Sequence, residues 1–289
     1  MNHYRAFGLN IASEIDCPVL LQRLVAEACD VLICRGSVPA QPLADEAQLS
    51  FDIKGVARYW IQHGKTITVD YADDVDFDAL WLYLLGSAMG AVLHQRGFLV
   101  LHGNAIVVTP QAAVVFVGPS GIGKSTLAEG FRQQGYALLT DDVSAVYFDE
   151  KQQPWVVPGY PALKLWQESA DHFNHDTSAL KPISNRETKF HVPFINEYCP
   201  QPVPLKAVVE LVLDFPSGVP QKLTGAAGFA MINDNIYRPQ YVSKLKRQSA
   251  HFQQCVTLCK HTALYRITRP QWPLTAELLT QLMQAILVD

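Results

Sequence analysis

Short apolar runs, separated by polar residues, glycine and proline, dominate the hydrophobic pattern of this chain. The run AAVVFV over 112–117 is typical, because it is long enough for a buried strand and too short for an ordinary helix. Further strands are predicted over 30–34, 56–61, 66–71, 98–101, 105–108, 137–140, 144–148, 207–215 and 263–267. Helical segments lie between several of these runs, so the pattern predicts an α/β fold.

Residues 1–96 are predicted to form a small N-terminal α/β module. Gly64 lies between two of the predicted strands and is placed to take the positive φ of a β-hairpin turn. A helix is predicted over about 77–95. The acidic residues before it supply three N-cap candidates: Asp73, Asp74 and Asp76. The apolar stretch of this helix, Leu80 to Leu93, is shorter than the roughly 20 residues of a membrane span, so we expect a buried core helix.

Residues 97–289 are predicted to form a second, larger domain. Residues 150–204 are rich in proline and polar residues and predict long loops with one short helix near Ser169. Residues 216–241 contain several glycines and predict a further loop. Two more helices are expected, one over about 242–260 and an amphipathic one over about 274–287.

A glycine-rich segment follows the strand over 112–117 and fits the pattern G-x-x-x-x-G-K-[ST]. Its residues are Gly118, Pro119, Ser120, Gly121, Ile122, Gly123, Lys124, Ser125 and Thr126. Glycines let backbone N–H groups turn towards a phosphate, which a Cβ would obstruct. Lys124 is placed to reach the outer phosphates, and Ser125 to offer its hydroxyl to Mg²⁺. The segment is therefore a candidate site for ATP with Mg²⁺.

The flanks of this loop match the context that the motif requires. Residues 126–134 are mostly compatible with a helix, with Gly130 as a weak point, and Gly135 is placed as a helix C-cap. A strand, a glycine-rich loop and a capped helix follow one another in phosphate-binding loops. The alternative is a fortuitous glycine-rich turn between a strand and a helix.

Phosphoryl transfer also needs an acidic element, and two places supply one. Asp141 and Asp142 end the apolar run 137–140, 17 and 18 residues after Lys124. Ligands of α/β sheets bind at such strand ends. One carboxylate could hold a metal while the other serves as a base, or both could be turn or N-cap acids. Asp214 ends another apolar run and is more typical of a turn.

Composition excludes several classes of function. The chain has 289 residues, is 49% hydrophobic and 17% charged, and carries a formal net charge of −4, so it is globular and lacks the basic excess of a nucleic-acid-binding protein. None of its six cysteines forms a C-x-x-C pair, so no zinc site is expected. Reduced thiols and the absence of a recognisable secretory signal predict a cytoplasmic protein without membrane contact.

The order of these features resembles the catalytic domain of bacterial HPr kinase/phosphorylase, and more closely the smaller HPr-kinase-related proteins found beside peptide-modification genes. In that family a histidine–glycine pair precedes the loop, a glycine follows its lysine by eleven residues, and an Asp-Asp pair follows at 17 and 18. His102-Gly103, Gly135 and Asp141-Asp142 stand at those places here. The resemblance is tight over about 102–146, loose to about 215 and unconvincing elsewhere.

The resemblance implies a mixed-sheet α/β core related to phosphoenolpyruvate carboxykinase. It also implies that Asp142 accepts the proton of a substrate hydroxyl and that His102 stands near the transferred phosphoryl group, although a lone histidine is more often structural. Lys124 would hold the outer phosphates of ATP. Ser125 and Asp141 would hold the metal.

The chain also departs from the family pattern. The family carries an acidic metal ligand in a Leu-Glu-Ile-Arg-Gly segment, whereas the comparable residues 158–166 contain no acid. The glycine- and arginine-rich loop that engages HPr has no recognisable counterpart, which puts HPr as substrate and the phosphorylase activity in doubt. Arg186 and Lys189 are candidates for added phosphate-binding cations, or else are solvated loop charges.

We expect an ATP-dependent phosphotransferase acting on a Ser or Thr hydroxyl of a peptide or small protein, such as a modified-peptide precursor. One alternative is a kinase for a small metabolite such as free serine. Another is a nucleotide-gated binding or scaffold protein that moves no phosphate. The sequence leaves the acceptor, the second metal ligand and the formation of a homo-oligomer open.

Overall fold

The chain, described as a computed structural model, is an α/β protein with mixed sheets. The structure describes residues 1–23, 28–40, 47–178, 180, 182–184, 187–213, 220–269, 280, 281, 283, 284 and 286. The described strands form three sheets, and the helices pack against them.

The first sheet is built from the described residues before the long apolar helix. Its strands are β1 (Asn2–Ala6), β2 (Leu9–Ser13), β3 (Val31–Arg35), β4 (Gln48–Ile53), β5 (Ala57–Gln62) and β6 (Thr66–Asp70). Their order is β1-β2-β3-β6-β5-β4, and β3 is parallel to both of its neighbours. The predicted hairpin joins β5 to β6, and its turn places His63 at a φ of 55° and Gly64 at 62°.

The long apolar helix follows as α1 (Phe77–Tyr83), a π-helical turn (Leu84–Ala88) and α2 (Met89–Gln95). Its predicted N-cap is confirmed, since the Asp76 carboxylate accepts hydrogen bonds from the first-turn N–H groups of Asp78 and Ala79. By length and composition it is the one helix of the described chain that could cross a membrane, but 72% of its apolar window is buried inside the protein. It is therefore a core helix.

The second sheet carries the glycine-rich loop. Its strands are β7 (Leu99–Thr109), β8 (Ala112–Val117), β9 (Ala137–Thr140), β10 (Val143–Phe148), β11 (Pro154–Val156), β15 (Val203–Val212), β16 (Gln221–Lys222) and β17 (Ala263–Thr268). The order is β11-β10-β7-β8-β15-β17-β16, with β9 paired to β7. β15 is parallel to β8 and β17, whereas the pairs β7–β8, β7–β9 and β7–β10 are antiparallel.

The expectation of long loops over 150–204 is wrong. That segment contains β11 and a third sheet of β12 (Ala162–Trp166), β13 (Pro182–Ser184) and β14 (Glu187–Pro193), in the order β12-β14-β13. The short helix expected near Ser169 is present as α4 (Gln167–His172). Polar residues and proline, such as Lys164, Pro182 and Glu187, interrupt the apolar pattern of the third sheet, and β12 pairs with β14, which follows only after α4 and β13.

The structure differs from three further predictions. The two short strands around His102 are one continuous strand, β7, which contains the histidine. The loop expected over 216–241 contains α5 (Gly225–Asp234), and the helix expected over 242–260 is divided into α6 (Gln240–Lys244) and α7 (Gln248–His261). Lys246, with a φ of 50°, lies at that break. Most of the predicted helix over 274–287 lies outside the described residues, but 280, 281, 283, 284 and 286 are helical.

One apolar core joins the N-terminal sheet to the second sheet. Its buried cluster contains residues of β1–β6, both parts of the long helix and second-sheet residues such as Val100, Val143 and Ala145. The predicted domain boundary between residues 96 and 97 therefore crosses a shared core. That boundary stays a prediction.

Candidate functional site

The glycine-rich loop connects the end of β8 to the start of helix α3 (Lys124–Gln133). Gly118 has a φ of 138°, and a Cβ there would lie 2.7 Å from the backbone oxygen of Leu211 on β15. Gly123 has a φ of 102° and stands at the N-cap of α3. Both positions require glycine for backbone reasons alone. Strand, loop and helix follow one another as the sequence predicts, while nucleotide binding remains a prediction.

Helix α3 ends at the predicted glycine. Gly135, with a φ of 86°, donates its N–H to the oxygen of Arg132, and Tyr136 donates to the oxygen of Phe131. These two bonds form a Schellman motif. The rings of Phe131 and Tyr136 meet edge to face with centroids 5.4 Å apart, which supplies the apolar contact that often accompanies the motif.

The Lys124 side chain is turned back onto the loop. Its Nζ donates hydrogen bonds to the backbone oxygens of Gly118 at 2.8 Å and Pro119 at 3.0 Å. Burial lowers the pKa of Lys124, the carboxylates of Asp142 and Asp141 oppose that change, and the Lys189 ammonium adds to it. The cation is thus held inside the loop by carbonyl oxygens, which a phosphate oxygen would have to replace.

Asp141 and Asp142 follow β9 directly and have different partners. Asp141 accepts a hydrogen bond from Ser125 Oγ at 2.9 Å through Oδ1, and one from the backbone N–H of Lys164 at 2.8 Å through Oδ2. Asp142, with a φ of 68°, pairs through Oδ2 with Lys164 Nζ at 2.8 Å. Its Oδ1 lies 3.4 Å from His102 Nδ1. The structure therefore brings five side chains of four separate segments together.

The two carboxyl groups have opposite pKa shifts. Burial, and then the charge of Asp142, raise the pKa of Asp141. Burial also disfavours the charge of Asp142, but Lys164 and His102 outweigh burial and hold the pKa of Asp142 below its usual value. Neighbouring acids whose pKa values are pushed apart are suited to different roles. Asp142 is therefore the more acidic member of the pair.

His102 projects from the middle of β7 and is fixed on both sides. The backbone N–H of His102 donates to the backbone oxygen of Asn235 at 2.8 Å, and the ring Nδ1 lies 3.1 Å from the backbone oxygen of Asp142. Its ring centroid is 5.8 Å from that of Tyr237. Burial lowers the pKa of His102, with Asp142 opposing the change, so the ring favours the neutral form.

Two cavities meet at these residues. A cleft of about 710 Å³ lies beside the glycine-rich loop, and a pocket of about 60 Å³, the loop pocket, lies on the loop itself. The residues that line both are His102, Ser120, Asp142 and Lys164. The acid and the histidine therefore stand at the boundary between a phosphate-sized pocket and a larger open cleft.

The remaining loop residues divide between these cavities. Gly118 and Pro119 line the cleft, whereas the loop pocket is lined by Gly121, Gly123, Lys124, Ser125 and Thr126, together with Asp141. Ile122 is only 5% exposed and packs into the apolar cluster beneath the loop. It anchors the loop and does not line either cavity.

Another wall of the cleft contains Tyr237, which lies beside His102 and packs closely against the long helix. A Cβ on Gly86 would lie 2.9 Å from the Tyr237 hydroxyl, and one on Gly90 would lie 2.9 Å from its ring. Leu82 and Tyr83, just before the π-helical turn, line the cleft as well. The N-terminal module thus contributes to the candidate site.

Sequence reasoning missed Lys164. The residue lies in β12, where a loop without an acid was expected, and its side chain is only 10% exposed beside Asp142. The alternation Ala-Leu-Lys-Leu-Trp over 162–166 could have indicated a strand with the lysine on one face. Lys189 lines the loop pocket, and its role as a phosphate-binding cation stays a prediction. Arg186 and Asp214 lie outside the described residues.

The donor atoms at Ser125 and Asp141 fit Mg²⁺. Both are oxygen ligands, and Mg²⁺ is commonly held by one or two carboxylates together with substrate phosphates. In the described part of the chain, no group of three or more His, Cys, Asp or Glu residues could hold a metal ion by itself. The arrangement therefore suits a metal that arrives with a phosphate ligand.

Comparison with known proteins identifies no family for the chain. No family model matches it, and no curated protein does. Among solved structures, the HPr(Ser) kinase/phosphatase from Coxiella burnetii aligns with a TM-score of 0.36 and 13% identity, over 64% of this chain and 94% of that chain. At this level the alignment carries no argument, and the resemblance drawn from the motifs remains a prediction.

Proposed function

We propose that this protein is an ATP-dependent phosphotransferase that phosphorylates a Ser or Thr hydroxyl of a peptide or small protein. The observation that carries the proposal is the position of His102, Asp142 and Lys164 on the boundary between the loop pocket and the cleft. A donor phosphate in the loop pocket and an acceptor hydroxyl in the cleft would meet at these side chains.

Each residue has a role in this proposal. Lys124 and the loop N–H groups bind the phosphates, and Ser125 and Asp141 hold Mg²⁺, which supplies charge neutralisation. Asp142 orients the acceptor hydroxyl and takes its proton. The new bond joins that oxygen to the γ-phosphorus, the bond to the β–γ bridging oxygen breaks, and ADP leaves with the electron pair.

The low pKa of Asp142 is compatible with this role. Phosphoryl transfer is commonly loose, so the attacking oxygen has formed little of its bond when the barrier is crossed. The hydroxyl proton is then transferred late, and orientation matters more than the strength of the base. The fixed pairing of Asp142 with Lys164 at 2.8 Å supplies orientation.

The cleft favours a peptide over a free amino acid. Its volume of about 710 Å³ is in the range of pockets that hold drug-sized ligands, and it is open to solvent along the wall made by Arg238, Pro239 and Gln240. A free serine would fill only a small part of it. The small-metabolite kinase is therefore the second candidate.

Labelled γ-phosphate ATP tests the proposal. The chain is incubated with an extract of its source cells and with a Ser/Thr peptide library, and transfer is measured beside ATP binding. Wild-type protein is expected to label an acceptor, Lys124→Ala to lose labelling and bind ATP more weakly, and Asp142→Asn to keep ATP binding and lose at least about 100-fold in transfer.

Asp171→Asn, an exposed acid on α4, is the matched control and should behave as wild type. Unchanged transfer by Asp142→Asn would contradict the base assignment. ATP binding without any labelled acceptor would contradict the transferase and favour the nucleotide-gated binding protein. Label found only in small metabolites would favour the second candidate.

A further inference from the structure

A tryptophan and a lysine form the wall of the loop pocket that lies away from the cleft. Trp166 on β12 and Lys189 on β14 are direct partners in the strand register, and Lys189 Nζ lies 4.2 Å from the centre of the Trp166 ring. Trp166 is 40% exposed and is among the exposed large apolar residues of the described chain. Neither residue has a role in the transfer chemistry described above.

The two ends of the loop pocket differ. The end that opens to the cleft is marked by His102 and Asp142, because these residues line both cavities. Thr126, Trp166 and Lys189 line the loop pocket without lining the cleft. With the terminal phosphate at the cleft end, the side lined by Thr126, Trp166 and Lys189 offers a place for the rest of a nucleotide.

The local structure ties this far end to the loop. Thr126, the residue after Ser125, shares a hydrogen bond of 2.9 Å with Ser169 of α4, the helix that begins directly after Trp166. Trp166 is thus held at a fixed place relative to the start of α3. The pairing of β12 with β14 holds Lys189 beside it.

Charge at this end also favours an anion. Lys124 and Lys189 both line the loop pocket, so two lysines contribute to its wall. Two ammonium groups that face one pocket repel each other, and a phosphate chain between them would remove that repulsion. The far end therefore combines a positive charge with an exposed aromatic ring.

We propose that Trp166 is the platform on which the nucleobase stacks, with Lys189 beside it neutralising the phosphate nearest the ribose. This inference rests on the proposed nucleotide-binding function. Aromatic rings bind nucleobases by stacking, and a lysine already placed over such a ring can exchange its cation–π contact for a phosphate.

Binding measurements with two ligands test the inference. ADP and inorganic tripolyphosphate, each with Mg²⁺, are titrated calorimetrically into wild type, Trp166→Leu, Trp166→Phe and Lys189→Met. We expect Trp166→Leu to weaken ADP binding about tenfold or more while tripolyphosphate binding stays within about twofold, since only ADP carries a base. Trp166→Phe should keep most of the ADP affinity, and Lys189→Met should weaken the binding of both ligands.

Phe252→Leu, at an exposed aromatic side chain of α7, is the matched control and should leave both affinities unchanged. Equal weakening of both ligands by Trp166→Leu, or no weakening of ADP, would overturn the inference. These outcomes leave the nucleotide site itself intact. By contrast, wild-type protein that binds neither ligand contradicts the proposed function.

Discussion

Lys164 is the residue that gives Asp141 and Asp142 their different environments. Its backbone N–H bonds to Asp141 and its ammonium pairs with Asp142, so one residue of β12 holds both acids after β9. The favourable interaction with Asp142 outweighs burial and raises the pKa of Lys164 well above its usual value. A buried ion pair of this kind fixes geometry, and its loss leaves an uncompensated charge.

Removal of either partner of this pair should be costly, and removal of both should be much less so. Lys164→Met is expected to lower the free energy of unfolding by about 3–5 kcal/mol, because the Asp142 carboxylate remains buried without its cation. The double variant Lys164→Met/Asp142→Asn should regain most of that loss. Denaturant unfolding of the single and double variants measures the coupling. If the losses of unfolding free energy in the two single variants simply add in the double variant, the pairing is contradicted.

The loop and the acid pair could be predicted from the sequence, whereas Lys164 could not. Gly118 to Ser125 and Asp141-Asp142 lie within a short span of chain, so their spacing alone indicates that they share a site. Lys164 reaches Asp142 because β12 lies beside the end of β9, where the Lys164 N–H binds Asp141. The alternation over 162–166 could indicate a strand, but no local pattern shows which distant segment that strand meets.

At the scale of elements, the long helix was predictable because its apolar residues, its N-cap acid and its length all indicate a helix. Helix α5 was not, since Gly225 and Gly228 lower its helix propensity and made the segment read as a loop. The close contact of α5 with α7 compensates for that weak propensity. Tertiary packing, which the local sequence does not report, decided this element.

Helix α2 makes the stability of the protein depend on pH. The Nε2 atom of His94 lies 2.9 Å from the backbone oxygen of Tyr237, and burial lowers the pKa of His94 to about 4. An unfolded chain has a histidine pKa near 6.5, so it binds more protons than the folded chain below that pH. The stability due to neutral His94 is therefore complete above pH 6.5 and is lost as the pH falls towards 4.

We expect the free energy of unfolding to fall by about 2 kcal/mol between pH 7 and pH 5 through His94. Urea unfolding at a series of pH values measures this change. His94→Gln should be less stable at pH 7 and should have a shallower slope over the same range. His191, whose pKa burial lowers to about 3, keeps part of the slope in that variant. Equal slopes in both proteins would contradict the role of His94.

At the scale of the whole molecule, one apolar core contains residues from both sides of the predicted boundary at residue 96. Buried residues of the first sheet, such as Ile33, Tyr59 and Val69, belong to the same cluster as Val143 and Ala145 of the second sheet. A fragment without the first sheet would expose the apolar surface that these residues cover. The pattern of predicted strands and helices indicates two α/β parts but cannot show how closely they are joined.

The full chain is therefore expected to unfold in a single transition, and the fragment 97–289 to lack a stable fold. Calorimetry of the full chain, together with dye binding and near-ultraviolet circular dichroism of the fragment, tests this expectation. The fragment should bind a hydrophobic dye and show weak near-ultraviolet signals. Two separate transitions, or a fragment with native-like tertiary signals, would establish independent domains.

The π-helical turn at Leu84–Ala88 has a consequence for how this chain can vary. Such a turn holds one residue more than an α-helical turn, and one residue corresponds to about 100° of rotation around the axis. Deleting a residue there would keep the helix but swing Leu82 and Tyr83 away from the cleft while Gly90 stayed against Tyr237. The one extra residue of the π-helical turn thus sets the rotation of Leu82 and Tyr83 about the helix axis. It thereby also sets the shape of the cleft wall that an acceptor would meet.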